Sequence, residues 1–344
     1  MINRKEITLL RDELLLNNIP AGDIESEFPD FLDYLQMLMK MRSHENKYTH
    51  SGVIISSLDN LPPHLIVDTD DIRYANGFNS FLMITEKTVR IIHFSDIAVD
   101  EEFLVRLSES HAMILQRHES IIRFFYNRTV FTCKNWNWSI KPDLSVALVK
   151  TLKHAPQTET NTFGKILSFS YHKLSPHNIG AILIYLLTDN FEGHAISENR
   201  EFLDFTNPHH HDMILSYLRQ IDGATFISSE GTMICSQIHL GYSDRSASFI
   251  SQKKGTRHTS AQRYSYDKPD CIAITVSEEG PKTIYSDGID NATISEIDAY
   301  SMFENYKNES VETGNVYSEY QSDITCPTCG KTSIIYSNTV SDDR

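Results

Sequence analysis

Basic side chains are scarce in this chain, and they gather in one place. Between Asp244 and Asp267 there is no acidic residue, while the interval carries Arg245, Lys253, Lys254, Arg257, Arg263 and His258. Its centre is Lys253-Lys254-Gly255-Thr256-Arg257-His258-Thr259-Ser260-Ala261. Glycine permits a tight turn and close backbone approach, and threonine is a good helix N-cap. Open backbone N–H groups at a helix start, with a guanidinium and hydroxyls, make an anion site suited to phosphate. Taken alone, the same residues fit a solvated basic loop equally well. Two acidic motifs flank the window. Ile221-Asp222-Gly223-Ala224 stands where a helix gives way to an apolar strand. An aspartate there can hold a divalent metal or activate a hydroxyl, or simply make an Asp-Gly turn. Val276-Ser277-Glu278-Glu279-Gly280 closes another apolar strand, a favoured ligand position in α/β sheets, although paired glutamates also suit a solvated turn. Cys326-Pro327-Thr328-Cys329-Gly330 has the spacing of one knuckle of a zinc ribbon. Zinc takes four ligands and no Cys or His follows, so the rest must come from a second chain, Cys133 or His209-His210-His211. A free dithiol in an acidic tail is the alternative.

These motifs need elements to position them. Leu9, Leu10, Leu14 and Leu15 predict an N-terminal helix, and Phe31 to Leu38 a second one. Val53-Ile54-Ile55, Leu65-Ile66-Val67, and a hairpin of Phe81–Ile84 with Val89–Ile92 predict strands. Glu101 to Arg117 has the spacing of one amphipathic helix. Thr129-Val130-Phe131 and Trp136 to Ile140 predict strands, the two tryptophans forming one aromatic face. A boundary falls near Lys141-Pro142, followed by a helix over Asp143–His154. Phe163 to His172 is ambiguous by period. Asn178–Leu187 reads as a buried strand, His210–Gln220 as a helix, and Ala224–Ile227 with Thr232–Cys235 as a hairpin. Cys271–Val276 is a buried strand paired with Lys282–Tyr285, and Ile294–Tyr306 a helix. Cys235 and Cys271 fall in apolar strands as inert core.

Composition bounds the function. The chain has 344 residues, 31 basic and 46 acidic, for a net charge of −15. That global field excludes a general nucleic-acid coat and a binder of anionic membranes. The length predicts about two domains. The charged first residues do not make a secretory signal. The longest apolar run, Ile179 to Leu187, falls short of the roughly 20 residues a bilayer span needs. Five cysteines, an odd number, argue against a disulfide framework and for a reducing cytoplasm. The expected partners therefore include neither nucleic acid nor membrane.

In order and context the motifs are more telling than singly. Asp222-Gly223-Ala224 before a hairpin, Gly255-Thr256-Arg257-His258 at a helix start, and Ser277-Glu278-Glu279 ending a strand together resemble the diadenylate cyclase (DAC) family. That family's pattern is Asp-Gly-Ala, then Gly-Thr-Arg-His-Arg, then Ser-Glu-Glu. Leu174-Ser175-Pro176 and the run from Ile179 look like the family's opening helix and strand, which assigns Phe163–His172 to a helix. The resemblance covers about residues 143–308. It implies a mixed twisted α/β sheet flanked by helices over 141–308, preceded by a smaller α+β regulatory or sensor domain over 1–140 and followed by an acidic tail over 309–344. Regulatory N-terminal domains are common in this family; the residues of 1–140 by themselves read as a small α/β domain with an aromatic core.

The resemblance further implies condensation of two ATP into cyclic di-AMP with release of two pyrophosphates. Two protomers must face each other, as a homodimer or a larger assembly. Asp222 and Glu279 would hold Mg²⁺ or Mn²⁺, with Asp222 helping to activate the attacking hydroxyl. Arg257, His258, Thr256 and Ser260 would cradle the phosphates beside the Gly255 turn. Gly223 and Ala224 would admit the nucleotide closely, Ser277 would line base or ribose, and Leu240 would contact adenine. One departure stands out: Thr259 replaces the second arginine of Arg-His-Arg. Arg263, Lys253 or Lys254 could supply the lost charge by folding back. The two readings are a divergent cyclase and a nucleotide- or cyclic-dinucleotide-binding module without turnover.

Overall fold

The computed structural model describes residues 4–41, 50–56, 65–67, 72–94, 99–109, 112–188, 203–251, 255–278, 281–298, 319–325 and 332–338. The chain divides into two compact units, Met1–Ala299 and Tyr300–Arg344.

The first unit begins with three helices, α1 (Arg4–Leu16), α2 (Ala21–Glu27) and α3 (Phe31–Lys40). A sheet follows from β1 (His50–Ser56), β2 (Leu65–Val67), β3 (Ser80–Ile84) and β4 (Val89–His93). After α4 (Glu101–Ser108) it continues with β5 (Ala112–His118), β6 (Ile121–Tyr126), β7 (Thr129–Lys134) and β8 (Asn137–Lys141). One face of this sheet packs Leu14, Phe31 and Leu35 of the first helices on Val53, Leu115, Phe124 and Trp138. The other face packs Phe103 and Leu104 of α4 on Ile54, Phe81, Ile114 and Phe125. Both faces are covered, so β1 and β5 carry continuous apolar stretches, Val53-Ile54-Ile55 and Ala112–Leu115.

The stretch 101–117 is therefore two elements. α4 stops at Ser108, and Ala112 onward is a strand that pairs with β1 (Ile54↔Ile114) and β6 (Leu115↔Phe124). Pairing on both sides overrides helical spacing. Trp138 is buried, whereas Trp136 is 69% exposed in the β7–β8 turn at φ +67°. The two rings do not share a face.

The second sheet follows α5 (Ser145–His154), α6 (Thr160–Phe169) and a π-helical turn at Ser170–Leu174. Its strands are β9 (Ala181–Leu186), then, after α7 (His211–Leu218), β10 (Ala224–Ile227) and β11 (Met233–Ile238). The paired helices α8 (Asp244–Phe249) and α9 (Thr256–Asp267) lead to β12 (Cys271–Val276), β13 (Lys282–Ser286) and β14 (Ile289–Ile294). The spatial order is β11-β10-β9-β12-β13-β14, with β9 and β10 parallel and the other neighbours antiparallel. In β9, Leu183 and Tyr185 face α5 and α6, while Ile182 and Ile184 face α9. The mixed sheet between helices follows the expected class.

The expected helix at 294–306 is not formed over its described part: Ile294 ends β14, and Ile297–Asp298 form β15. β15 pairs with β8 at the edge of the first sheet (Ile297↔Ile140). Residues 299–306 lie outside the described residues. In the second unit, β16 (Glu319–Thr325) and β17 (Thr332–Asn338) pair as an antiparallel hairpin. No helix among the described residues is long and apolar enough to cross a membrane.

Candidate active site at one end of the second sheet

Strand register brings the sequence motifs together. Ala224 at the start of β10 pairs with Ile182 on one side and Ile238 on the other. Val276 at the end of β12 pairs with Ala181 and with Lys282. Asp222-Gly223, Ile238 to Leu240, Gly180 and Ser277-Glu278 therefore lie at the same end of the sheet. The four strands β11, β10, β9 and β12 span three strand spacings, about 14 Å.

Each residue at this end has a physical reason to be there. Gly223 sits at φ +97°, and a Cβ would come within 2.9 Å of the Gln237 backbone; only glycine fits both demands. Its N–H donates to Oδ1 of exposed Asp222 at 2.9 Å. The other Asp222 oxygen has no partner among the described residues. Ala224 is buried, and Leu240 packs partly buried against the cluster of Ile182, Phe226 and Tyr264.

α9 delivers its first turn to the same place. Its N-cap is Gly255, and Thr256 is its first helical residue rather than the cap. Among the described residues, a Cβ at Gly255 would meet nothing within 4 Å. Thr256 is exposed and Ser260 half-buried. Arg257 turns over the strand end, where Nη1 lies 3.3 Å from Glu278 Oε1. It reaches there because position 180 is glycine: a Cβ on Gly180 would fall 1.9 Å from Arg257 Nη1. His258 points the other way, into the sheet. Its Nδ1 lies 2.9 Å from Thr275 Oγ1 and 3.1 Å from Tyr285 Oη, and its Nε2 lies 3.0 Å from Ser277 Oγ. Thr259 is buried, and its hydroxyl donates back to the Gly255 carbonyl at 3.3 Å.

The basic window disperses in space. Arg263 does not fold back toward the α9 start. Its Nε and Nη2 donate to the Ile250 carbonyl at 3.1 and 2.9 Å, at the end of α8, and its guanidinium lies over the Tyr242 ring. Arg245 lies over Tyr266. Asp267, which closes the window in sequence, accepts from the Ser243 N–H and hydroxyl and from the Ser246 hydroxyl. Burial opposes ionisation there, but these bonds outweigh it and hold the carboxyl below its usual range. The clamp ties the end of α9 to the start of α8. Among the window's described basic residues, Arg257 is the one placed at the strand end. Lys253, Lys254, Glu279, Cys326 and Cys329 lie outside the described residues.

Sequence reasoning missed the seam between the two sheets. Asp100, Glu101 and Glu102 open α4, where acidic residues are unremarkable, yet the two glutamates are buried. Glu101 lies 2.9 Å from Lys141 Nζ, 3.1 Å from His172 Nδ1 and 3.3 Å from Arg123 Nη1. Burial alone would raise its pKa; the His172 hydrogen bond and the Lys141 ammonium overcome this and hold it at about 2. Asp100 caps α4 through the Phe103 N–H and accepts from Lys173. Glu102 lies 3.4 Å from His211 Nδ1. His210 accepts from the Asp204 N–H, so the His209-His210-His211 run builds a helix start. No sequence signal distinguishes these acids from solvated ones; their partners are remote in sequence.

A divalent cation fits this strand end. Asp222 offers an exposed carboxylate oxygen, and Mg²⁺ or Mn²⁺ commonly takes one or two carboxylates and completes its shell with water and phosphate. Among the described residues no group of three or more His, Cys, Asp or Glu could hold a metal by itself.

Comparison with known proteins covers both halves. The family described as DAC, DisA bacterial checkpoint controller nucleotide-binding, matches residues 169–289. The family described as probable sensor domain DACNK matches residues 9–142. No curated protein matches the chain. Among solved structures, a hypothetical membrane spanning protein from Bacillus cereus is 19% identical, covering 43% of this chain and 71% of that one, with a TM-score of 0.30. A double cysteine mutant of DacA from Staphylococcus aureus is 18% identical, covering 48% of this chain and 95% of that one, with a TM-score of 0.25.

Proposed function

Because the chain is a member of the diadenylate cyclase family with a sensor domain toward its N-terminus, we propose that it condenses two ATP into cyclic di-AMP and two pyrophosphates between two facing protomers. The observation that carries this reading is the meeting of Asp222-Gly223-Ala224, Arg257 and Ser277-Glu278 at one end of the second sheet.

In this reading each protomer binds one ATP. Gly223 and Ala224 let the nucleotide approach the backbone, with Leu240 against the adenine. Arg257, Thr256 and the open N–H groups of the α9 start take the phosphates. His258 acts from behind: fixed by Thr275, Tyr285 and Ser277, it sets the angle of the α9 start and the Ser277 hydroxyl. The ribose 3′-oxygen of one nucleotide attacks the α-phosphorus of the other, the bond to pyrophosphate breaks, and the hydroxyl proton leaves toward Asp222. In-line geometry between two ATP molecules demands the symmetric pair. A bound Mg²⁺ or Mn²⁺, held by Asp222 and Glu279, would neutralise charge developing on the phosphates. Zinc at Cys326 and Cys329 remains a separate proposal, checked by metal analysis before and after Cys326→Ser. The reaction belongs in the cytoplasm, where Cys133, Cys235 and Cys271 stay as free thiols.

A binding module without turnover is the second reading. It is favoured by Thr259, buried and bonded to Gly255, and by the engagement of Arg263 with α8. Incubating the full-length protein with ATP and Mn²⁺ and resolving products by chromatography decides between them. The cyclase produces cyclic di-AMP with two pyrophosphates each. ATP bound without any dinucleotide overturns the cyclase and leaves the binding module.

A further inference from the structure

Two histidines far apart in sequence meet at one end of the first sheet. His50 opens β1 and His118 ends β5, and the antiparallel register sets them directly opposite each other (His50↔His118), so both rings stand on one face. Their ring centroids are 4.7 Å apart, with the planes at 61°. The Phe78 ring closes the cluster, 5.0 Å from His50 and 5.1 Å from His118. The loop that carries Phe78 is firmly held. Asn76 Oδ1 accepts from the N–H groups of Phe78, Asn79 and Ser80 at 2.9, 3.1 and 3.1 Å, and Gln116 Nε2 donates to the Gly77 carbonyl. Gly77 sits at φ +71°, and a Cβ there would fall 2.4 Å from the Ser51 carbonyl oxygen, so only glycine lets the loop lie this close to β1.

This cluster is short of hydrogen-bond partners. Among the described residues, His50 Nδ1 is buried without a partner, and so is Oε1 of Gln116. Gln116 is 5% exposed and, two positions before His118 on β5, shares its face. No hydrogen bond or ion pair among the described residues engages His118. A ring nitrogen sealed from water and left unbonded costs free energy, and a metal ion bound there would supply the missing partner. The spacing suits one. A metal–nitrogen bond of about 2.0–2.1 Å puts the ion about 3.2 Å from each ring centroid, so two imidazoles at right or tetrahedral angles on one ion have centroids about 4.5–5.2 Å apart. The observed 4.7 Å falls inside that interval. Both rings are half-buried rather than sealed in the core.

We propose that His50 and His118 together bind one late first-row divalent ion, of the class of Ni²⁺, Cu²⁺ and Zn²⁺, making this end of the first sheet a ligand site of the N-terminal domain. Two neutral imidazoles, with no carboxylate joining them among the described residues, are a donor set that these borderline ions favour, whereas Mg²⁺ and Mn²⁺ favour oxygen. The ion is therefore chemically distinct from the one assigned to Asp222, and water completes its shell. Both histidines lie inside the stretch that matches the probable sensor domain, 9–142. The proposal does not depend on the cyclase reaction.

Calorimetric titration of the full-length protein with NiCl₂, without ATP present, tests this. Saturable binding of about one ion per chain at this site is expected, weakened by about tenfold or more in His118→Gln and in His50→Gln. Phe78→Leu keeps both imidazoles and is expected to keep the ion. His118→Cys is expected to keep it too and to add a thiolate-to-nickel absorption band, a gain that misfolding cannot produce. Melting curves recorded without metal check the fold of each variant. Absence of saturable Ni²⁺ binding, or binding unchanged in both His118→Gln and His50→Gln, overturns the proposal. Binding that is lost in Cys326→Ser and unaffected by the histidine variants assigns the ion to the tail and overturns it as well.

Discussion

Changing Asp222 to asparagine is expected to lower cyclic di-AMP formation by about a thousandfold, with little change in stability. The side chain is exposed, and its one bond, to the Gly223 N–H, can be accepted by the asparagine oxygen. Exposed substitutions of this kind usually shift stability by less than about 0.5 kcal/mol. What asparagine lacks is the negative charge that would draw the hydroxyl proton and hold a hard cation. Losing a positioned base typically costs about 10²- to 10⁴-fold. Product chromatography with ATP and Mn²⁺ measures the rate, and a thermal melt checks the fold. A variant that retains its rate within about tenfold of the parent contradicts the role given to Asp222.

The second large effect is on stability. Glu101→Ala is expected to destabilise the first unit by about 3–5 kcal/mol, because it leaves Lys141 and His172 in a buried seam without their carboxylate. The same carboxylate should give stability an acid dependence. Its pKa is held at about 2 against an ordinary value of 4.5. A group lowered on folding stabilises the fold above its unfolded pKa, and that contribution fades as pH falls from about 4.5 toward 2. The difference corresponds to about 3 kcal/mol. Denaturant unfolding at neutral pH and across the acid range measures both effects. The alanine variant should show a lower midpoint at neutral pH and a flatter acid limb. An unchanged midpoint would remove the seam from the account of stability.

The seam also shows what sequence could not carry. Asp100-Glu101-Glu102 looks like any acidic helix start, and its partners Lys141, His172 and His211 are distant in the chain. Only the folded arrangement that brings α4 beside β8, the π-helical turn and the start of α7 makes these charges meet. Strands β9, β10, β11, β12 and β13 of the second sheet were legible because they carry apolar runs bounded by turn signals, and so were the three motifs at their ends; β14, with the polar sequence IDNATI, was not. The same property misled at 112–118, where a strand buried on both faces carries apolar residues at helical spacings as well. Gly180 gave no sign of its role, since a glycine before a strand is ordinary. Its meaning appears only when Arg257 lies in the space its missing side chain leaves. The acid-free window was visible as a cluster of charge, yet its arginines serve different ends: Arg263 and Arg245 brace α8 and α9, and Arg257 goes to the strand end.

That last placement offers the most direct test of the central claim, that this strand end is a nucleotide site. Titrating a non-hydrolysable ATP analogue into the full-length protein and into Gly180→Ala reads it without turnover. The added methyl collides with the far end of a flexible side chain, so it should displace the guanidinium and spare the fold. Losing one charge-assisted phosphate contact is worth about 1.5–3 kcal/mol. The expected result is one analogue per protomer for the parent and an affinity weaker by about ten- to a hundredfold for Gly180→Ala, with an unchanged melt. Equal affinities in the two proteins, or no binding by the parent, would contradict it.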